Sequence, residues 1–319
     1  MKRFPLTIII FLFILAGCAE KSEKKIKKDP NNIYRIKKIK ETDIPSTVIK
    51  IEKKLDYIKG EYQEYLISYK SDGLKIYAKM NIPDKEKPKS GFPVVLINHG
   101  YIPPNRYNTD DSYKLVEGFF AKNGFITFKS DYRGFGNSER HESWVYNRLG
   151  QIRDVKILLN SINSFSEVDK NNIFVYGHSM GGEVTIKLLQ TDKKNMIKAA
   201  SLWAPCYESY PEVSLFFIRE GGGREAENVK ERILQKIPEE NFKYYSVTNY
   251  VNFINTPIVL HHGMNDKSVP FKWSLNLVNK LEEYNKNYKF YRYTDDHNLS
   301  NNFFSVLRKD VNFFKSFLN

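Results

Sequence analysis

A serine between glycines stands where the hydrophobic pattern of the chain changes. The pentapeptide GHSMG at 177–181 follows a short apolar run at 172–176 and opens a stretch with helical spacing at 180–190. The glycines permit a tight turn that exposes the Ser179 hydroxyl above a sheet. The same turn places the Met180 backbone N–H at a helix N-terminus, where it would stabilise a developing oxyanion. The pattern therefore predicts nucleophilic acyl transfer by Ser179.

A serine nucleophile needs a general base, and the base needs a carboxylate that orients it. The ends of two later apolar runs supply both, in the chain order serine, acid, histidine: Asp266 and then His297. Asp295 and Asp296 compete with Asp266 for the role of the acid. Because they adjoin His297 in sequence, a contact with its Nδ1 atom is geometrically awkward, and we predict Asp266.

The elements that must position these residues alternate along the chain. Strands are predicted at 64–69, 74–82, 92–98, 125–129, 172–176, 197–203, 257–261 and 288–293, and helices at 112–122, 148–161, 180–190, 271–284 and 300–318. The first two strands form an antiparallel hairpin edge, and the others predict a parallel sheet joined by right-handed crossovers. The expected class is therefore α/β, with a mostly parallel central sheet and helices on both faces.

The stretch at about 205–255 breaks this alternation and predicts a cap insertion. It is rich in aromatic residues, namely Tyr207, Tyr210, Phe216, Phe217, Phe242, Tyr244 and Tyr245. These rings either roof the site and bind acyl or aryl groups, or they pack the insertion onto the core. The glycine run at 221–223 has no following Lys-Ser/Thr pair, so it predicts a flexible stretch and not a P-loop.

Five motifs together resemble those of the α/β-hydrolase family. They are HGY at 99–101, DYRGFGNS at 131–138, GHSMGG at 177–182, GMNDKSVP at 263–270 and DDHN at 295–298. The chain is most similar to compact serine esterases and to hydrolases related to peptidase family S9, over about residues 60–319. The resemblance implies the α/β-hydrolase fold and a catalytic triad of Ser179, Asp266 and His297.

The same resemblance assigns roles to the loops beside the triad. It implies that the Tyr101 backbone N–H is the second oxyanion donor, beside Met180, and that His99 shapes the loop. For His99, a local hydrogen bond is favoured over proton transfer. Asp131 and Arg133 are expected to brace the loop after their strand.

The N-terminal residues have the pattern of a targeting signal. Lys2 and Arg3 precede an apolar stretch at 4–16, which ends in the tetrapeptide LAGC at 15–18. This is the pattern of a secretory signal, and the tetrapeptide resembles the lipobox of bacterial lipoproteins. We therefore predict a signal peptide at 1–17 and lipidation of Cys18, which anchors the protein to a membrane of the bacterial cell envelope. An uncleaved anchor or an ordinary secretion signal is the alternative.

Charge separates the N-terminal region from the rest. The net charge is +13, and residues 19–60 carry 13 basic against 7 acidic side chains. We predict a Lys-rich flexible tether at 18–60 and a folded domain at 61–319. Such a tail could touch anionic lipid, but a solvated linker is the simpler reading, and no RNP-like or arginine-rich motif indicates nucleic acid.

No cofactor or metal is predicted. The chain has only two cysteines, which excludes a disulfide scaffold and a cysteine-only zinc site. The remaining histidines, among them His141, His261 and His262, lack the spacing of a metal cluster. His178 is expected to pack or to hydrogen-bond and not to act as a second base.

These features predict a serine hydrolase that cleaves carboxylic esters outside the cytoplasm, with a small-molecule ester or short peptide as substrate. Two alternatives stay open. One is a serine peptidase related to family S9, although such peptidases usually carry a large β-propeller that residues 19–60 cannot form. The other is a surface-binding lipoprotein that keeps the fold without catalysis, which the presence of all three triad side chains disfavours.

Overall fold

The computed structural model describes residues 32–220 and 225–318. The predicted signal peptide and Cys18 lie outside these ranges. The strands are β1 (Lys50–Ile58), β2 (Tyr62–Ser71), β3 (Leu74–Pro83), β4 (Phe92–Asn98), β5 (Ile126–Ser130), β6 (Val168–His178), β7 (Ile197–Trp203), β8 (Ile258–Gly263) and β9 (Tyr288–Tyr293). The helices are α1 (Ile36–Glu41), α2 (Lys114–Lys122), α3 (Trp144–Ser161), α4 (Met180–Gln190), α5 (Glu212–Glu220), α6 (Glu225–Leu234), α7 (Phe271–Glu283) and α8 (Phe303–Lys315).

Within the described residues all nine strands form one sheet, in the order β1-β2-β3-β5-β4-β6-β7-β8-β9. The first three strands pair antiparallel, and β3 also pairs antiparallel with β5. From β5 to β9 the pairing is parallel. The predicted α/β class and mostly parallel sheet are thereby confirmed. Parallel pairing brings the carboxyl ends of β4, β6, β8 and β9 to one edge, where the predicted site residues follow them.

The two faces of the sheet are covered by different helices. One buried cluster joins the sheet to α3, α4 and α7, and a second joins it to α2 and α8. Continuous apolar runs form the central strands because both of their faces are buried: six of the seven residues of β4 are buried. None of the helices in the described part of the chain is long and apolar enough to cross a membrane.

The structure corrects the extent of the predicted tether. Residues from 32 onward belong to the folded domain, since α1 packs on it with Ile36 and Ile39 each 1% exposed. Strand β1, predicted as tether, pairs along β2. It was not predicted because an edge strand with almost every side chain exposed shows no hydrophobic alternation. Backbone hydrogen bonds place it in the sheet.

The insertion between β7 and β8 holds α5, α6 and three short 3-10 turns. Its rings serve packing. Tyr210, Phe242 and Tyr245 form a buried cluster with α3 and Tyr34, while Phe216 packs on Trp273 of α7. The cavity beside Ser179 is lined by none of the insertion's described residues. Of the two readings of the aromatic insertion, the structure supports packing onto the core.

Candidate active site

Ser179 occupies a strained turn between β6 and α4. Its backbone has φ 57° and ψ −121°, a conformation that non-glycine residues rarely adopt. The turn requires glycine on either side of Ser179, because neighbouring atoms leave no room for a Cβ at positions 177 and 181. A Cβ on Gly181 would lie 2.0 Å from the Asn98 carbonyl oxygen, and one on Gly177 would lie 2.2 Å from Thr185 Oγ1. The turn therefore holds Ser179 at the carboxyl edge of the sheet, as the sequence predicts.

Asp266 and His297 meet across the ends of β8 and β9. Asp266 Oδ2 accepts a hydrogen bond of 2.7 Å from His297 Nδ1 and one of 3.0 Å from His262 Nε2. Its Oδ1 accepts from the backbone N–H groups of Ser268 and Val269. Burial raises the pKa of Asp266, but these hydrogen bonds outweigh burial and hold the pKa below its usual range. Asp266 is therefore an ionised carboxylate that fixes the His297 ring.

The two competing carboxylates are hydrogen-bonded within the loop that carries His297. Asp295 accepts hydrogen bonds from the backbone and side-chain N–H groups of Asn301 and Asn302. Asp296 accepts from Ser300 through both N–H and hydroxyl. Both therefore act as loop caps, and Asp266 alone of the three touches His297 Nδ1 within the described chain.

Ser179 and His297 line one cavity of about 400 Å³. The Ser179 hydroxyl lies 4.0 Å from Cys206 Sγ, and among the described residues it is not hydrogen-bonded to the His297 ring. Hydrogen bonds between a nucleophile and its general base commonly tighten only when substrate is bound. Burial raises the pKa of the Cys206 thiol well above its usual range, so this thiol is neutral and a poor nucleophile.

The two predicted oxyanion donors flank Ser179. Met180 begins α4, and the loop after β4 lies directly against the serine, since a Cβ on Gly100 would be 3.2 Å from Ser179 Cβ. The Gly100 N–H donates to the Tyr113 hydroxyl at 2.8 Å and is therefore occupied. Tyr101 follows in the same loop and lines the cavity, and the backbone N–H groups of Tyr101 and Met180 remain the predicted donors.

His99 and His178 are neutral structural groups. The ring of His99 stacks on Tyr132, and its Nδ1 lies 2.8 Å from the Gly100 carbonyl oxygen. Burial lowers the pKa of His99 to about 3. Burial, with the neighbouring His297, lowers the pKa of His178 to about 3 as well. Neither ring can act as a general base near neutral pH, and His297 stays the predicted base.

The loop after β5 is braced as the motif suggests. Asp131 accepts hydrogen bonds from the hydroxyls of Tyr107 and Thr109, at 2.7 and 2.6 Å. Arg133 is 1% exposed and donates through Nε and Nη2 to Asp154. These contacts hold the loops that surround the site and involve no group that faces Ser179.

Three residues near the site were not predicted. Tyr113 lines the cavity and bonds Gly100, His262 supports Asp266, and Cys206 contacts Ser179. Only His262 had a sequence signal, because it ends the apolar run before Asp266. Among residues 32–220 and 225–318, no group of three or more His, Cys, Asp or Glu side chains is placed to hold a metal ion.

The fold and the site define a serine hydrolase of the α/β-hydrolase class. The chain belongs to the prolyl oligopeptidase family, peptidase family S9, whose model matches residues 112–319. This chain is 25% identical to the uncharacterized peptidase YtmA of Bacillus subtilis, over 70% of this chain and 80% of YtmA. It is 26% identical to dipeptidyl peptidase family member 1 of Caenorhabditis elegans over 77% of this chain but only 30% of that protein.

Solved structures show the same fold in both esterases and peptidases. An acetyl xylan esterase from Paenibacillus sp. R4 superposes with a TM-score of 0.66 at 19% identity, covering 89% of this chain and 92% of the esterase. Dipeptidyl peptidase 4 of Porphyromonas gingivalis superposes with a TM-score of 0.61 at 18% identity, covering 81% of this chain and 36% of the peptidase. At these identities the likeness is one of fold.

Proposed function

We propose that this protein is an extracytoplasmic, lipid-anchored serine hydrolase that cleaves carboxylic esters through an acyl-enzyme on Ser179. The observation that carries the proposal is the 2.7 Å contact between Asp266 and His297, whose ring lines the same cavity as Ser179. A nucleophile, a base and an orienting carboxylate at one sheet edge are the parts that acyl transfer requires.

In the proposed reaction His297 Nε2 accepts the proton of the Ser179 hydroxyl as its oxygen attacks the ester carbonyl carbon. The Tyr101 and Met180 N–H groups stabilise the resulting oxyanion. As the tetrahedral intermediate collapses, the C–O bond to the alcohol breaks and His297 returns its proton to the leaving oxygen. Water then attacks the acyl-enzyme with the same base, which releases the carboxylic acid and restores Ser179. Asp266 stabilises the imidazolium form throughout.

The likeness to an esterase supports an ester substrate, because the fold of the acetyl xylan esterase matches 89% of this chain. A serine peptidase is the second candidate, favoured by the family and by the likeness to YtmA.

Turnover of chromogenic substrates separates these candidates. We expect the purified full-length protein to hydrolyse p-nitrophenyl esters of short to medium acyl chains and to leave aminoacyl p-nitroanilides intact. Turnover of anilides at comparable kcat/KM would instead establish the peptidase. Absence of both activities, together with no labelling by a fluorophosphonate, would favour a non-catalytic binding lipoprotein.

Attachment to the membrane is proposed from the N-terminal sequence alone, with the thiol of Cys18 as the site of lipidation. Cys18→Ala should move the protein from the membrane fraction to the soluble fraction, because the variant lacks the residue that would carry the acyl chains. Two or more such chains hold a protein stably on a membrane, whereas one is marginal. Cys206→Ala, at the other cysteine of the chain, is the matched control and should stay with the membrane. A Cys18→Ala protein that remains bound after a high-salt wash would contradict the lipid anchor.

A further inference from the structure

A chain of three hydrogen bonds runs behind the candidate active site. The Gly100 N–H lies 2.8 Å from the Tyr113 hydroxyl, which lies 2.6 Å from His178 Nδ1. On the other side of the same ring, His178 Nε2 lies 3.1 Å from the carbonyl oxygen of His297. The rings of His178 and His297 also pack together, with centroids 4.6 Å apart. These hydrogen bonds thus link the Gly100 loop, which lies beside Ser179, to the backbone of His297.

The direction of every bond in the chain is fixed by its ends. A backbone N–H can only donate, so the Tyr113 oxygen accepts from Gly100 and its own proton points to His178 Nδ1. A carbonyl oxygen can only accept, so His178 must donate its Nε2 proton to His297. The neutral ring in this one tautomer satisfies both ends. Burial keeps both groups in these forms, because it raises the pKa of Tyr113 above its usual range and lowers that of His178 to about 3.

Tyr113 is held in place by its own loop. Its backbone has φ 67°, in the left-handed region, and the residues just before it are anchored from below by two buried ammonium groups. Lys79 Nζ donates to the Asp110 carbonyl at 2.7 Å, and Lys129 Nζ donates to the Thr109 carbonyl at 2.9 Å. The position of the Tyr113 hydroxyl is therefore set by the sheet beneath the loop.

The two lysines are themselves compensated by buried carboxylates. Lys79 Nζ lies 3.0 Å from Glu64, and Lys129 Nζ lies 3.5 Å from Glu117. All four side chains are at most 2% exposed. Removing one partner of a buried ion pair is strongly destabilising, so these four side chains fix the position of the loop. The loop in turn contributes Tyr113 to the lining of the cavity.

We propose that Tyr113 is a positioning residue for the hydrolytic reaction. Its hydroxyl ties the Gly100 loop, which carries the predicted oxyanion donor, to His178 and through that ring to the main chain of His297. The inference rests on the proposed function, because it assumes that Ser179 and His297 carry the chemistry. In this arrangement Tyr113 sets the distance between the oxyanion site and the general base without touching the reacting atoms.

Tyr113→Phe removes the hydroxyl and keeps the ring. We expect kcat for p-nitrophenyl acetate to fall about 10- to 100-fold, since misplacement of reacting groups by about 1 Å can cost a factor of about 100. KM should change less than about threefold, because the hydroxyl is turned to Gly100 and His178 and not to substrate. Because a smaller folded fraction would also lower the apparent kcat without changing KM, kcat is calculated per active site, with the sites counted by complete fluorophosphonate labelling.

Tyr69→Phe is the matched control. Tyr69 is also buried, and its hydroxyl bonds Ser130 Oγ and the Asp154 carbonyl, away from the cavity. Its loss should lower Tm by a similar amount and leave kcat within about twofold of wild type. An equal loss of kcat in both variants would overturn the proposal, because the effect would then be one of stability.

His178, at the centre of the three hydrogen bonds, provides a second test. His178→Gln keeps an acceptor and a donor and should retain kcat within about fivefold, whereas His178→Leu keeps neither and should lose about 10- to 100-fold. Because Tyr113 and His178 act through the same series of hydrogen bonds, adding Tyr113→Phe to His178→Leu should lower kcat by less than about a further threefold. Losses that multiply in the double variant would overturn the proposal.

Failure of the proposed function would be visible separately. If the wild-type protein hydrolyses no ester or anilide, the rate constant for fluorophosphonate labelling of Ser179 replaces kcat, since phosphonylation places an oxygen at the same oxyanion site. Slower labelling of Tyr113→Phe than of Tyr69→Phe then supports the positioning role. Wild-type values of kcat and of the labelling rate in Tyr113→Phe would overturn it.

Discussion

Ser179→Ala should reduce ester turnover by at least about 10³-fold and abolish covalent labelling by a fluorophosphonate. The variant removes the hydroxyl that attacks the carbonyl, so only binding and oxyanion stabilisation remain. The strained backbone at φ 57° should persist, because Gly177 and Gly181 shape the turn. The measurement is the initial rate with p-nitrophenyl acetate, beside labelling detected by mass spectrometry.

Cys206→Ala is the control for the nucleophile, since its sulfur is a second nucleophilic atom near the Ser179 hydroxyl, 4.0 Å away. Burial raises the pKa of this thiol, so labelling should persist without it. Labelling that survives Ser179→Ala and disappears in Cys206→Ala would place the nucleophile on sulfur and overturn the mechanism.

Asp266→Asn should lower kcat/KM by up to about 10⁴-fold. The amide keeps the shape of the side chain, but it can turn its NH₂ group toward His297 Nδ1 and favour the wrong tautomer of the ring, as in a well-studied serine protease triad. It also removes the negative charge that stabilises the imidazolium form. The 2.7 Å contact between Asp266 and His297 is the basis of this expectation.

Asp295→Asn and Asp296→Asn are the matched controls, each expected to cost about 10-fold or less. Their carboxylates accept hydrogen bonds from residues 298–302 and hold the loop. Steady-state kinetics of the three variants, with Tm measured for each, separates loss of the acid from loss of the loop. Near-normal activity in Asp266→Asn with a large loss in Asp295→Asn would move the role of the acid to the His297 loop.

The positions of the candidate site residues at the sheet edge could be predicted because their signals are local. The glycines at 177 and 181 specify a turn, and strand ends mark where Asp266 and His297 emerge. A parallel sheet brings such strand ends to one edge whatever the details of its packing. The geometry of Asp266 and His297 therefore agrees with expectation, although the two residues are 31 positions apart.

Other features were decided only by contacts between distant segments. Strand β1 joins the sheet through backbone pairing with β2. Because most of its side chains are exposed, its sequence does not alternate between apolar and polar residues. The aromatic insertion packs against α3 and α7, a choice that composition alone left open.

The sequence by itself determined the fold class and the positions of Ser179, Asp266 and His297 at strand ends, because short-range turn chemistry and hydrophobic periodicity encode them. Only the tertiary structure brought the Tyr113 hydroxyl to His178, 65 residues along the chain. A tyrosine in a loop carries no pattern that names its partner. Its contacts depend on how the buried lysines of β3 and β5 anchor that loop, and long-range packing of this kind is settled only when the whole sheet is assembled.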